Sequence, residues 1–193
     1  LRYEQGRLEE MRDALAVAVE MSPGLSVIEA ALACMEASLG QADLAGPRLT
    51  SMTERDLERV PRDALYPSAL VFLTIAASVL DDQDAAAALL IHLRPYSGQV
   101  LAVATNLGFL GSADRYRAML LSTPGHHDEA EPLLAAAREL EQRIGSPTLP
   151  ARTTLAHATT PPTPRRPRAD PARPPPPRGP PPAAAPAPHA TAP

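Results

Sequence analysis

The chain has 193 residues, of which 24 are Pro and 3% are aromatic, with no Trp and a formal net charge of −4. These totals average two unlike parts, because residues 161–193 hold 15 of the 24 Pro, five of the 18 Arg and one acidic residue, a local charge of +4. Residues 1–160 therefore carry −8, which argues against nucleic-acid binding by this part. Its length suffices for one domain with a hydrophobic core.

The basic residues and the single Cys exclude further classes of protein and kinds of site. All 18 basic residues are Arg, so the Lys of a nucleotide-binding phosphate loop is missing. Because Cys34 is the one cysteine of the sequence, an internal disulfide and a Cys-based zinc site are excluded. Its apolar neighbours favour a buried, unreactive thiol. The first residue is Leu rather than Met, which suggests a fragment, and no signal peptide is recognisable.

Residues 1–160 are predicted to be helical. Ala, Leu, Glu, Arg and Met favour helix, and no stretch shows the sustained alternation with β-branched residues that is typical of strands. The first helix is predicted over 3–21 and the second over 25–39, which Gly40 ends. Their predicted apolar faces are Leu8, Met11, Leu15 and Val19, then Val27, Ala31, Cys34, Met35 and Ser38.

The later helices are separated by turn residues and by two longer linkers. They are predicted over 42–52, 66–80, 83–93, 112–122, 127–144 and 148–158. The apolar run 65–80 contains Pro67 and several polar residues, so we expect a buried helix and not a membrane span. The linker 53–64 is charged, and the apolar linker 99–111 is interpreted as a short helix or a packed loop.

Three helix–helix junctions repeat the same pattern. Each has an acidic residue, a small residue two positions later and Leu six positions later. The acidic residues of successive junctions are 41 and 44 residues apart. The aligned residues are Asp43, Asp84 and Asp128, then Ala45, Ala86 and Ala130, then Leu49, Leu90 and Leu134. Ala near the start of the second helix of a hairpin lets the backbones of the two helices approach closely. The acidic residue is favoured there because the N-terminal end of the helix dipole is positive. The pattern resembles divergent tetratricopeptide-type hairpins, with a period above the standard 34 residues.

Several short motifs in order carry a closer resemblance. They are Val60-Pro61-Arg62-Asp63-Ala64, Leu93-Arg94-Pro95-Tyr96-Ser97-Gly98, Gly111-Ser112-Ala113-Asp114-Arg115-Tyr116, Asp128-Glu129-Ala130-Glu131 and Arg143-Ile144-Gly145-Ser146-Pro147-Thr148-Leu149 with Ala151-Arg152-Thr153. Together they resemble the C-terminal helical-repeat region of large bacterial signalling ATPases of actinobacterial type. Those proteins join a nucleotide-binding module to such repeats, often with a LuxR-type DNA-binding domain or an adenylate/guanylate cyclase domain. The resemblance covers about residues 1–158 and implies a cytoplasmic regulatory protein, without ATPase or cyclase activity in this segment.

The end of the chain, residues 159–193, allows two interpretations. It is either a disordered tail with polyproline character or a frameshift product that replaced the next helix. The abrupt change inside a repeat favours the frameshift. The basic run Arg165-Arg166-Pro167-Arg168 could bind an acidic surface, although solvated disorder explains it better. Pro174–Pro177 with Arg178 could dock into an aromatic groove.

Three short motifs and one single histidine are candidate sites of chemistry. His126-His127-Asp128 could ligate a metal, but an exposed turn with a helix cap explains it better. Asp81, Asp82 and Asp84 lack the pattern of a calcium loop, so capping is preferred. His92 could interact with the C-terminal end of its helix dipole or act as a general base. In Asp114-Arg115-Tyr116-Arg117 the Asp is expected to cap a helix and the Tyr to pack on its neighbour.

The sequence thus predicts an all-α protein: a tetratricopeptide-like α-solenoid over 1–158 and a disordered tail over 159–193. Its expected role is non-catalytic regulation, with a protein or peptide bound on a concave helical surface, and with no cofactor, metal, nucleic acid or membrane. The alternative is a free-standing scaffold whose Pro-rich tail is a ligand, and deletion of 159–193 separates the two. An enzyme would need His92, His126 or the Asp cluster to converge in a pocket. The sequence does not predict the oligomeric state.

Overall fold

The protein is mainly helical, as predicted. The computed structural model describes residues 8–103, 108–146 and 148–159, so the predictions for 3–7 and for the tail lie outside the described residues. The helices are α1 Leu8–Met21, α2 Ser26–Ser38, α3 Ala42–Leu57, α4 Tyr66–Leu80, α5 Gln83–Leu93, α6 Ala113–Ser122, α7 His127–Ile144 and α8 Leu149–Thr159. A 3-10 turn, Arg94–Tyr96, follows α5. The predicted helices therefore coincide with observed ones, with small differences at their ends.

The three junctions that align in the sequence have the same backbone geometry. In each, a residue with left-handed backbone lies three positions before the aligned Asp. The left-handed residues are Gly40, Asp81 and Gly125, with φ of 75°, 54° and 84°. The next residue donates its N–H to the carbonyl five positions earlier, at 2.9 Å for Gln41, 3.0 Å for Asp82 and 2.8 Å for His126. This is the Schellman pattern, which satisfies the last free carbonyls of a helix.

The aligned alanines are buried where the paired helices approach. Ala45, Ala86 and Ala130 are at most 1% exposed. Their N–H groups donate to the carbonyls of Gln41, Asp82 and His126 at 3.0–3.1 Å. Leu49 and Leu134 are also buried, whereas Leu90 is only partly buried. The equivalence of the three junctions therefore extends from sequence to hydrogen bonding and burial.

Enlarging one aligned alanine tests this close approach. We expect Ala86→Leu to lower the free energy of unfolding by about 1–3 kcal/mol, because the added atoms enter a filled core. Ala87→Leu is the matched control, since the next residue along α5 is exposed and should change stability by less than about 0.5 kcal/mol. Urea denaturation followed by circular dichroism measures both, and equal effects would contradict the packing role of Ala86.

The core is centred on α2 and α4. Eight consecutive residues of α2, Ala30–Ala37, are buried, because α1, α3 and α4 pack around this helix. The prediction of one apolar face for α2 is therefore wrong in part, since Val27 and Ser38 are only half-buried and Ala30 and Ala33 are fully buried. Helix α4 is buried as predicted. In the described part of the chain, no helix has the length and apolarity needed to cross a membrane.

The linker after α5 forms a β-hairpin, which corrects the prediction of a helix or loop over 99–111 and the prediction that strands are absent. Strand β1, Val100–Val103, pairs antiparallel with β2, Gly108–Ser112, and the register shifts between Leu101 and Ala102. The hairpin packs against α4 and α7, and the Ser68 hydroxyl donates to the Ala102 carbonyl at 3.3 Å. Because strands this short are stabilised by packing on helices, they lack a clear alternating pattern.

The last residues of α3, which the sequence assigned to a charged linker, contain an unusual backbone turn. The helix leaves its right-handed path at Glu54, where ψ is 156°, close to the predicted end at residue 52. Arg55, Asp56 and Leu57 then have φ of 49°, 59° and 56°. A left-handed backbone costs roughly 1–2 kcal/mol for each non-Gly residue, so surrounding contacts must stabilise the turn. One of these contacts is made by Asp56 and leads to the candidate site.

Candidate functional site

A groove lies where α3 ends, α4 begins and α5 ends. Its volume is about 480 Å³, within the range of pockets that bind small ligands or peptide side chains. It is lined by Asp56, Arg62, Asp63, Tyr66, Ile91, His92, Pro95 and Tyr96. Two short motifs of the sequence meet here, since Val60–Ala64 contributes Arg62 and Asp63, and Leu93–Gly98 contributes Pro95 and Tyr96.

His92 is the central buried polar residue of the groove. It is 7% exposed, its Nδ1 lies 2.9 Å from the Tyr66 hydroxyl, and its Nε2 lies 2.8 Å from Asp56 Oδ1. Because an ionised carboxylate only accepts hydrogen bonds, we assign Nε2 of His92 as the donor to Asp56 and Nδ1 as the acceptor from the Tyr66 hydroxyl. The expectation that His92 serves the helix dipole misses this role, which is to connect α3, α4 and α5.

Tyr66 forms the floor of the groove and donates to His92. The pKa of Tyr66 is raised, mainly by burial, with smaller contributions from Tyr96 and Asp56 that the charge of Arg62 opposes. The two rings meet edge to face, with centroids 6.2 Å apart and planes at 85°. A tyrosine hydroxyl with the ordinary pKa of about 10 is protonated at neutral pH, and the raised pKa of Tyr66 moves its titration further from neutrality, so Tyr66 is a hydrogen-bond donor there.

Asp56 connects the buried part of the groove to its surface. Its side chain is 73% exposed although Oδ1 is fixed by His92. Its second oxygen, Oδ2, lies 3.6 Å from Nη2 of Arg62, and the Arg62 guanidinium carbon lies 5.8 Å from the Tyr66 ring centroid. The groove thus holds a guanidinium group between a carboxylate and an aromatic ring.

This arrangement is suited to binding. Both ring nitrogens of His92 lie within hydrogen-bond distance of other side chains of this chain, the Tyr66 hydroxyl and Asp56 Oδ1. The Asp56 side chain is largely exposed, and the groove is also lined by the exposed apolar side chains of Ile91 and Pro95. The groups that face the groove can therefore hold a charged ligand with apolar neighbours.

A second polar cluster, the Glu141 cluster, is buried away from the groove. It consists of Glu141, Arg115, Ser112 and Thr153. Glu141 accepts from the Ser112 N–H at 2.9 Å and from the Thr153 hydroxyl at 2.6 Å, and its Oε1 lies 3.8 Å from Nη1 of Arg115. These residues join β2, α6, α7 and α8, and their burial indicates a structural role.

The segment Asp114–Arg117 is ordered, but the expected cap is wrong. Ser112 caps α6 by accepting from the Asp114 N–H at 3.2 Å. The Asp114 carboxylate instead accepts from the Ser97 hydroxyl at 2.9 Å and the Gly98 N–H at 2.8 Å. Tyr116 donates to the Leu110 carbonyl at 2.7 Å, and the Arg115 guanidinium lies over its ring.

The remaining predicted residues do not line the groove. Burial raises the pKa of the Cys34 thiol to about 12, against a smaller effect of Ser38, which confirms a buried thiol that is unreactive at neutral pH. Asp82 caps α5 by accepting from the Ala85 N–H at 2.9 Å, as predicted for the acidic cluster. His126 occupies the cap position of α7 without a capping bond from its side chain, and its ring pairs with Glu129 at 3.1 Å.

Two residues of the groove, Asp56 and Tyr66, were not predicted from the sequence. They lie 36 and 26 residues from His92, and no local spacing connects them.

Fold and site together define a mainly helical protein with a small polar groove. No family model, curated protein or solved structure matches this chain.

Proposed function

We propose that this chain is a non-catalytic, tetratricopeptide-like interaction module that binds a protein or peptide segment in the groove between α3, α4 and α5. The observation that carries the proposal is the recurrence of one turn geometry at three junctions, described above. Hairpins of this kind bury their apolar faces by stacking on neighbours and leave a continuous surface for partners.

The helix contacts support a stacked array. Besides its partner in the hairpin, α2 contacts α4, α4 contacts α6, and α6 contacts α8, while α3 contacts α5. Contacts of this kind between neighbouring hairpins are typical of a superhelical α-solenoid. From the resemblance of its motifs to signalling ATPases, we expect such an array to belong to a cytoplasmic regulator, where a bound partner would bias the nucleotide-binding domain between states.

Selection from a displayed library of random peptides tests the proposal with the full chain as bait. We expect selected peptides to bind at least about tenfold more weakly to Ile91→Glu, because this change places a charge on the exposed apolar side chain of the groove. Val79→Glu is the matched control, since Val79 is exposed on α4 and does not line the groove.

Two results would overturn the proposal. One is a selection in which no peptide distinguishes Ile91→Glu from the parent chain. The other is ATP turnover by the pure protein, because a non-catalytic module has none.

A further inference from the structure

We infer that the groove is a subsite for arginine: it binds the guanidinium group of one Arg in an extended segment of a partner protein. The inference rests on the proposed function and specifies the ligand of the same groove. Three features of the groove support it.

The first feature is a carboxylate that is fixed through one oxygen and exposed to solvent. Asp56 Oδ1 is held at 2.8 Å by Nε2 of the buried His92, while the side chain as a whole is largely exposed. The left-handed turn at Arg55–Leu57 places Asp56 at this point despite its conformational cost. An acceptor that is already ordered loses little entropy when a cation binds, so the groove is preorganised for a positively charged ligand.

The second feature is a guanidinium that already occupies the groove. Arg62 lies between Asp56 Oδ2, at 3.6 Å, and the ring of Tyr66, at 5.8 Å from the centroid. Its side chain is 67% exposed, and exposed ion pairs contribute only about 0–1 kcal/mol. An incoming arginine can therefore displace Arg62 at small cost and make the same two contacts.

The third feature concerns the neighbours of the charged contact. Asp63 adds a second carboxylate, and Ile91, Pro95 and Tyr96 line the rest of the groove, where apolar residues beside the ligand Arg can pack. A planar guanidinium can pair with a carboxylate and stack on a ring at once, which a lysine ammonium does less well. The charge of −8 on residues 1–160 favours the approach of a cationic segment.

These contacts predict effects of opposite sign for two exposed neighbours. Asp56→Asn removes the charge that binds the ligand, so it should weaken binding by about tenfold or more. Arg62→Gln removes the competing guanidinium, so it should tighten binding by about threefold. A residue with a purely structural role would not strengthen binding when replaced.

The experiment measures fluorescence anisotropy of a labelled peptide with one Arg between alternating Pro and Ala, titrated with the full chain. The same peptide with citrulline, a neutral isostere of arginine, is expected to bind about tenfold more weakly. Asp84→Asn, at an exposed acid outside the groove, should leave binding unchanged.

Equal affinity for the arginine and citrulline peptides, or weaker binding by Arg62→Gln, would overturn the inference. If Asp56→Asn unfolds the protein, the Arg62→Gln variant alone tests the inference: tighter binding supports it and weaker binding contradicts it. Library peptides that depend on Ile91 but lack Arg would also overturn it, while the proposed interaction module would stand. If no library peptide depends on Ile91, the proposed function itself fails.

Discussion

Replacing Glu141 with Ala is expected to lower the free energy of unfolding by about 3–5 kcal/mol. Glu141 is fully buried and accepts hydrogen bonds from the Ser112 N–H and the Thr153 hydroxyl. Its removal leaves the buried guanidinium of Arg115 without its counterion and the Ser112 N–H without its acceptor. Because domains are stable by only about 5–15 kcal/mol, this single change removes a large part of the stability.

A neighbour on the same helix provides the control for Glu141. Glu139 is exposed and pairs with Arg143 at 3.2 Å, so Glu139→Ala should change stability by less than about 0.5 kcal/mol. Glu141→Gln keeps the shape and some hydrogen bonds but loses the charge, and its effect should lie between the two. Urea denaturation followed by far-ultraviolet circular dichroism measures all three variants. Similar midpoints for Glu139→Ala and Glu141→Ala would show that the buried pair does not stabilise the fold.

Gly111→Ala should be destabilising by at least about 2 kcal/mol. Gly111 has φ of 112°, a backbone conformation that is strained for any residue with a Cβ atom. That atom would also lie 2.7 Å from Nη2 of Arg115 and 2.9 Å from Oε1 of Glu141, so it would push apart the ion pair of the Glu141 cluster. Glycine is therefore needed at this position both for its positive φ and because the side chains of Arg115 and Glu141 leave no room for a Cβ atom.

Gly108 is the matched control in the same strand. A Cβ atom there meets nothing within 4 Å, and its φ lies outside the left-handed range, so Gly108→Ala should change the free energy of unfolding by less than about 1 kcal/mol. Thermal denaturation of both variants under one set of conditions compares them. A Gly111→Ala protein as stable as Gly108→Ala would refute the tight contact with Arg115 and Glu141.

The helices and their junctions were predictable because their signals are local. The predicted bounds of 66–80 and 83–93 match α4 and α5 within one residue, since Asp82 caps α5 and Pro95 follows its end. Likewise, the left-handed residues at Gly40 and Gly125 lie where the sequence places Gly at a helix end. Propensity, caps and turn residues act within a few positions of the chain, so a single sequence contains them.

The candidate site and the Glu141 cluster could not be predicted in this way. His92 acquires its role from Asp56 and Tyr66, which reach it only after α3, α4 and α5 have packed. Glu141 is one of several acids on α7, and the sequence does not distinguish it from the exposed Glu139, two residues earlier. Both sites depend on partners from distant elements.

The sequence by itself determined the helical class, the helix bounds and the three equivalent junctions, because backbone conformation follows from short-range preferences. Only the tertiary structure decided that residues 100–103 and 108–112 form a hairpin, that α2 is buried around its whole circumference, and which acid faces His92. The physical reason is that burial and ion pairing depend on long-range packing, which can stabilise a short strand, a left-handed turn or a buried charge against local preference.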